Sequence, residues 1–232
     1  MKKRKNLYIS MTRGEKVFGW LYLAFQLLAL PTVLAWINNL LCTPMNDAVF
    51  QFAYHAVNFI AMVCIFHRFL RDSLRSAWRD KWNFLQAVVL GFVAFWACSK
   101  AFDWIVQVLH GELSNVNDSV ISTMLRSNFL LMSIAVVVLA PLTEELLYRG
   151  LIFRNLWQQS KAAAYLLSMG AFALIHVLSY IGTTDPVTLI LCFIQYLPAG
   201  LCLAWTYSKA DNIFAPILVH ALNNAIAIGL VR

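Results

Sequence analysis

Two adjacent glutamates and an arginine interrupt an apolar stretch in the middle of the chain, at Glu144, Glu145 and Arg149. A charged side chain at bilayer depth costs on the order of 2.5 kcal/mol or more, so such residues normally face a protein interior or a wet cavity. Two later apolar segments each carry a histidine, His176 and His220. Carboxylates and imidazoles inside a membrane protein suggest acid–base chemistry or proton movement.

Residues four apart share one face of a helix, and three such pairs include the charged residues and histidines of these segments. These pairs are Glu145 and Arg149, Phe172 and His176, and His220 and Asn224. The arginine can neutralise one glutamate and leave Glu144 free. A free carboxylate beside a neutral imidazole is a general base for water, and a second imidazole with a carboxamide can donate hydrogen bonds to an oxyanion. Together these groups are a minimum set for hydrolysing an amide.

The composition places these residues in a membrane. The chain is 61% hydrophobic and 12% charged, whereas a soluble domain is roughly half apolar and about a quarter charged. A spanning helix needs about 20 mostly apolar residues, which predicts an all-α polytopic membrane protein with about seven, or eight, transmembrane helices around a buried polar catalytic cavity. The seven segments are roughly 17–41, 48–69, 83–109, 128–153, 162–181, 187–208 and 212–231.

Four residues inside these segments bear on where the spans end and how regular they are. The third segment carries Lys100 and Asp103, which we read as a neutralising pair on one helix face rather than as an earlier end of the span. Pro198 and Gly200 should interrupt the sixth segment. Backbone carbonyls freed by proline need new partners, and water in a cavity is one source, although proline is also common in membrane helices.

Basic residues predict the orientation of the chain, because cytoplasmic loops close to spans are enriched in Lys and Arg. They gather before the first segment, between the second and third, between the fourth and fifth, and after the sixth. The members are Lys2, Lys3, Arg4, Lys5, Arg13 and Lys16; Arg68, Arg71, Arg75, Arg79 and Lys81; Arg149, Arg154 and Lys161; and Lys209. The N-terminus is then cytoplasmic, the C-terminus extracytoplasmic, and the compact loops favour a bacterial plasma membrane. This asymmetry accounts for the net charge of +7 without a nucleic-acid partner.

One integrated membrane domain should account for the chain. It divides into an N-terminal membrane region of about three spans, residues 1–127, and a catalytic core of about four spans, residues 128–232. The cysteines lie in or beside apolar segments and form no CxxC pair, so we interpret them as packing residues. They are Cys42, Cys64, Cys98, Cys192 and Cys202.

Three motifs on successive apolar segments resemble a known family in order and spacing. They are Glu144-Glu145-x-x-x-Arg149, Phe172-x-x-x-His176 and His220-x-x-x-Asn224. Together they resemble the motifs of the CAAX protease and bacteriocin-processing family of intramembrane endopeptidases, also called the Abi family, over about residues 128–231. The resemblance implies that Glu144 and His176 activate a water molecule and that His220 and Asn224 stabilise the oxyanion. It also implies a supporting role for the remaining motif residues, Glu145, Arg149 and Phe172.

The same residues leave the question of a metal open. Glu144, His176 and His220 could equally form a three-ligand zinc site with an open position. We expect no cofactor and keep zinc as the alternative.

Three classes of function fit the sequence. The first is an endopeptidase acting on a small or membrane-tethered peptide or protein, in CAAX-type processing or in bacteriocin maturation and self-immunity. The second is a non-catalytic membrane regulator or immunity protein that binds a sensor kinase or a peptide toxin. The third is a transporter, which would predict inverted repeats, but the chain shows no internal symmetry. The partners are therefore a peptide or membrane-protein substrate and the lipid bilayer, with the oligomeric state undetermined.

The two histidines pose a problem of depth. At 1.5 Å per residue, His176 lies about 21 Å along its segment, whereas His220 lies about 12 Å along its own. Tilt, proline kinks or a fifth helix that starts in a deeper cytoplasmic notch would reconcile these depths. The hypothesis requires Glu144 and His176 to lie within about two water-bridged hydrogen bonds of each other.

Overall fold

The computed structural model describes residues 7–111 and 113–231, which contain ten helices and no strand. The basic residues Lys2, Lys3, Arg4 and Lys5 lie outside the described residues. The helices are α1 (Arg13–Leu28), α2 (Leu30–Asn39), α3 (Asp47–Ile65), α4 (His67–Arg79), α5 (Lys81–His110), α6 (Val116–Ser127), α7 (Phe129–Trp157), α8 (Lys161–Leu178), α9 (Pro186–Ala210) and α10 (Phe214–Val231). The predicted all-α class is confirmed.

Five of the described helices, α3, α5, α7, α8 and α9, are long and apolar enough to cross a membrane. A sixth span exists if α1 and α2 are one broken span, since the two helices are bent by 53°. Pro31 lies in the first turn of α2, where its missing N–H and fixed φ favour a new helix start. The seventh predicted segment is also an apolar helix, α10, of 18 residues.

The outer surface of the bundle suits lipid. Large apolar side chains such as Trp36, Ile60, Val93 and Leu109 are exposed. The predicted pair inside α5 is confirmed, because Lys100 Nζ lies 3.5 Å from Asp103 Oδ2 and the helix continues to its end at residue 110. The cysteines are all free, with two buried, Cys192 and Cys202, and three exposed, Cys42, Cys64 and Cys98.

The buried core joins the two halves of the chain. One hydrophobic cluster combines Phe69 of α4 with Phe153 of α7 and Tyr207 of α9, and a second combines Val88 of α5 with Val219 of α10. Each of these clusters therefore draws on residues from both sides of position 128. The proposed boundary between 127 and 128 stays a prediction.

Helix α7 is not a regular α-helix. Two π-helical stretches, Ala135–Leu139 and Leu146–Phe153, flank a short α-helical turn at Ala140–Glu145. Pro141 in this turn has no N–H to donate to the carbonyl four residues earlier, and the N–H of Ala140 bonds the carbonyl of Ala135, five residues back. Wide turns of this kind are rare and frequently occur at functional sites.

The turn between α9 and α10 lies below the protein surface. Asp211 ends α9 with a left-handed φ of 48°, and Asn212 and Ile213 are buried. The Asn212 side chain donates to the carbonyl of Ser73 in α4, at 2.6 Å, so α4 covers the turn. Helix α10 therefore begins among buried residues. His176 and His220 contact adjacent glutamates of α7, so the difference in depth expected from the segment lengths is absent.

The predicted interruption of the sixth segment is wrong, because α9 continues through Pro198 from residue 186 to residue 210. Gly200 instead brings two helices together. A Cβ atom at this position would lie 2.9 Å from the Cα and Cβ atoms of Met169 in α8. The absence of a side chain thus permits close backbone contact between α8 and α9, as small residues do in membrane bundles.

We expect Gly200→Ala to destabilise the protein by about 1–3 kcal/mol, because the added methyl group meets helix backbone that cannot rotate away. Thermal unfolding in detergent measures this as a lower Tm. Gly170→Ala in α8 is the matched control, since a methyl group added there would have no neighbour within 4 Å. An equal Tm for both variants would contradict the close packing at Gly200.

Candidate active site

A buried ion pair forms the base of the site. Arg149 Nη1 donates to Glu145 Oε1 at 2.9 Å, and both side chains are 0% exposed. The other terminal nitrogen of Arg149 donates to the carbonyl of Gly200 at 2.8 Å, and the guanidinium carbon lies 4.6 Å from the ring centroid of Phe172. The interpretation of Arg149 as a cytoplasmic loop residue is therefore wrong, because α7 extends to Trp157.

His220 bonds to the same glutamate. Its Nδ1 lies 3.0 Å from Glu145 Oε1, and its ring centroid lies 5.6 Å from that of Phe172. An ionised carboxylate only accepts hydrogen bonds, so Nδ1 carries the proton. In a neutral imidazole Nε2 is then an acceptor. Nε2 of His220 can donate to an oxyanion only when the ring is protonated, and Glu145 is the counterion that such a ring would need.

Glu144 and His176 form the second polar pair. Glu144 Oε2 lies 3.8 Å from His176 Nε2, and the two side chains are 19% and 15% exposed. His176 Nδ1 donates to the carbonyl of Phe172 at 2.7 Å, which leaves Nε2 of the neutral ring as an acceptor. Glu144 Oε2 is buried and makes no hydrogen bond to a described residue. Two acceptors thus face each other, and a proton must be supplied between them by the ring or by water.

The side-chain amide of Asn224 forms a hydrogen bond with the backbone of α7. Its Nδ2 donates to the carbonyl of Val136 at 2.9 Å. In a regular α-helix that carbonyl would accept from Ala140, whose N–H instead bonds Ala135. The side chain of Asn224 therefore satisfies a carbonyl that the π-helical stretch leaves free. One N–H of the amide is used in this way, and an oxyanion role has only the second N–H available.

Several polar residues near the site carried no sequence signal. The ring of Tyr196 in α9 stacks on His176 with centroids 4.3 Å apart. Ser168 donates to the carbonyl of Tyr148 in the second π-helical stretch at 2.9 Å. His55 lies in α3, which packs against α7. Each lies in an apolar helix that carries other polar residues as well, and only the packing of that helix against α7 or α8 distinguishes it from a structural residue.

The zinc alternative requires Glu144, His176 and His220 to converge. Within the described ranges, no three His, Cys, Asp or Glu side chains gather as a metal-binding group. Nδ1 of His220 is bonded to Glu145, but zinc-bound histidines commonly make this contact and it leaves Nε2 open. The three side chains as arranged do not converge on one point, and the zinc alternative stays a prediction.

Comparisons with known proteins found one family match, in the C-terminal half of the chain, and one similar curated protein. Residues 126–226 match the family model described as Type II CAAX prenyl endopeptidase Rce1-like. The chain is also similar to the UPF0177 protein YxdF of Lactococcus lactis subsp. lactis (strain IL1403), with 32% identity over 88 residues. That match covers 38% of this chain and 42% of the relative, so it spans less than half of either protein. No solved structure matches.

We expect Arg149→Met to destabilise the protein by about 3–5 kcal/mol, because it leaves the buried carboxylate of Glu145 without its partner. The double variant that also carries Glu145→Gln should lose much less free energy of unfolding than the sum of the two single losses. Thermal unfolding of the four variants in detergent measures this coupling.

The matched control is the exposed pair in α5, tested as Lys100→Met and Asp103→Asn. Its side chains are 60% and 40% exposed, and such pairs contribute at most about 1 kcal/mol. Additive losses at Glu145 and Arg149 would show that the buried pair is not the stabilising interaction.

Proposed function

We propose that this protein, whose residues 126–226 match the Type II CAAX prenyl endopeptidase Rce1-like family, is an intramembrane endopeptidase that hydrolyses peptide bonds with a glutamate-activated water. The observation that carries the proposal is the approach of Glu144 Oε2 to His176 Nε2 at 3.8 Å. These atoms belong to the first two of the three sequence motifs. The family match supports the endopeptidase class, and the geometry supports separate roles for Glu144 and Glu145.

Glu144 is the general base of the proposed reaction. The guanidinium of Arg149 neutralises Glu145, so Glu144 is the carboxylate that keeps its charge available. A water placed beside the pair can donate one hydrogen to Glu144 Oε2 and the other to His176 Nε2, at about 2.8 Å from each. That arrangement orients the oxygen lone pairs away from both acceptors and toward an incoming carbonyl carbon.

The bond changes then follow in order. The water oxygen attacks the carbonyl carbon while Glu144 takes one water proton, which gives a tetrahedral intermediate with one oxyanion. Protonated His220, paired with Glu145, and the second N–H of Asn224 are the candidate donors to that oxyanion. When the C–N bond breaks, Glu144 returns its proton to the leaving amine. One water is consumed and the carboxylate is regenerated.

The position of the site supports a substrate that reaches bilayer depth. Glu144 lies near the middle of α7, about 20 Å from either end at 1.5 Å per residue. A small or membrane-tethered peptide can present a bond there, whereas a folded soluble protein cannot. CAAX-type processing and bacteriocin maturation or self-immunity both provide substrates of this kind, and the cleaved peptide is to be identified by experiment.

The test is a cleavage assay on purified protein in nanodiscs with a quenched peptide library. We expect Glu144→Gln to lower kcat by at least about 100-fold, because the amide cannot accept the water proton. Asp72→Asn, which changes a half-exposed carboxylate on α4, should cleave as the wild type does. Equal thermal unfolding of the three proteins excludes a loss of fold.

Three further results would change the conclusion. Cleavage that persists in Glu144→Gln would remove Glu144 as the base. If a chelator abolishes cleavage by the wild type and added zinc restores it, the zinc-dependent mechanism is favoured. If the wild type cleaves nothing and Glu144→Gln keeps the cellular phenotype, a regulator or immunity protein that binds a sensor kinase or peptide toxin becomes the better account.

A further inference from the structure

The imidazole of His176 contacts two aromatic rings. Phe172 of the same helix lies 4.6 Å away between ring centroids, with the planes tilted by 51°. Tyr196 of α9 stacks closer, at 4.3 Å and 28°. The hydrogen bond from His176 Nδ1 to the Phe172 carbonyl fixes one edge of the ring. The remaining edge, with Nε2, is the one that faces Glu144.

Tyr196 is itself anchored through its hydroxyl group. The hydroxyl donates to Asp118 Oδ1 at 2.9 Å and accepts from Asn117 Nδ2 at 3.1 Å. Asn115 Oδ1 lies 3.2 Å from the same hydroxyl. These three residues form the N-terminal turn of α6, a segment outside the candidate membrane spans.

A second contact ties the same turn to α9. Asn115 Nδ2 donates to Gln195 Oε1 at 2.8 Å, and Gln195 Nε2 donates to Asp103 Oδ1 in α5 at 3.0 Å. Asn115 also caps α6, since its Oδ1 accepts from the backbone N–H groups of residues 117 and 118. The position of Tyr196 is therefore determined by side chains from α5, α6 and α9 together.

From this geometry we infer that Tyr196 is a positioning residue for His176, and that the first turn of α6 holds Tyr196 in place through its hydroxyl. The effect of Tyr196 on catalysis rests on the proposed function, whereas the positioning of His176 by Tyr196 does not. None of the three sequence motifs contains Tyr196 or a residue of α6. Without the tyrosine ring, one face of the imidazole loses its support and Nε2 is free to turn away from Glu144.

The kinetic test compares three variants in the cleavage assay. We expect Tyr196→Leu to lower kcat about 10-fold or more with KM changed less than about 3-fold, because orientation and not binding is lost. Tyr196→Phe keeps the stacked ring and should recover most of that loss. Tyr165→Phe removes a hydroxyl that bonds Ser208, away from this contact, and should match the wild type.

The anchoring is tested by a double-mutant cycle. Tyr196→Phe and Asp118→Asn each weaken the same hydrogen bond, so their combined effect on kcat should be smaller than the product of the single effects. Independent, multiplicative effects would contradict the anchoring of Tyr196 by α6.

A readout that needs no cleavage separates this inference from the proposed function. In protein with ¹⁵N-labelled histidine, the His176 signals, assigned with His176→Gln, should report the tautomer protonated at Nδ1. We expect that signature to be kept in Tyr196→Phe and lost or averaged in Tyr196→Leu, even if the wild type cleaves no peptide. An unchanged His176 signal in Tyr196→Leu, or an unchanged kcat in an active protein, would overturn the inference.

Discussion

The ion pair between Glu145 and Arg149 is the interaction on which the rest of the site depends. Two carboxylates stand side by side in a membrane-spanning helix, and one guanidinium neutralises only one of them. The pair is fully buried, so either charge alone would carry an uncompensated desolvation cost of several kcal/mol. Arg149 in turn reaches the backbone of α9, and Glu145 reaches His220 of α10. A single buried pair thus fixes three helices around Glu144.

The local pairings could be predicted from the sequence because they depend on helix geometry alone. Glu145 with Arg149, and Lys100 with Asp103, are spaced so that one helix face brings them together, and both pairs form. These pairs need only the period of the helix. The cost of burying charge predicts that Glu144 finds a polar neighbour, and the choice of His176 as that neighbour comes from the resemblance of the three motifs.

The remaining features depend on tertiary packing, which carries no periodic signal. Asn224 was expected at an oxyanion, but the π-helical stretch in α7 leaves a carbonyl that its amide satisfies. The continuity of α9 through Pro198 differs from the predicted interruption, because the cost of unpaired backbone in lipid outweighs the one hydrogen bond that proline removes. The support of His176 by Tyr196 depends on the packing of α8 against α9.

The two π-helical stretches of α7 have a consequence for the angular arrangement of the whole span. A wide turn accommodates one residue more than an α-helical turn, which shifts the phase of everything beyond it by about 100°. Because one stretch precedes Ala140–Glu145 and the other follows it, the carboxylates occupy a short segment whose rotation is offset from both ends of the helix. The direction of the lipid-facing stripe of α7 and the direction of its polar residues are therefore independent of each other. A single helical wheel drawn over the full span would place one of the two on the wrong side.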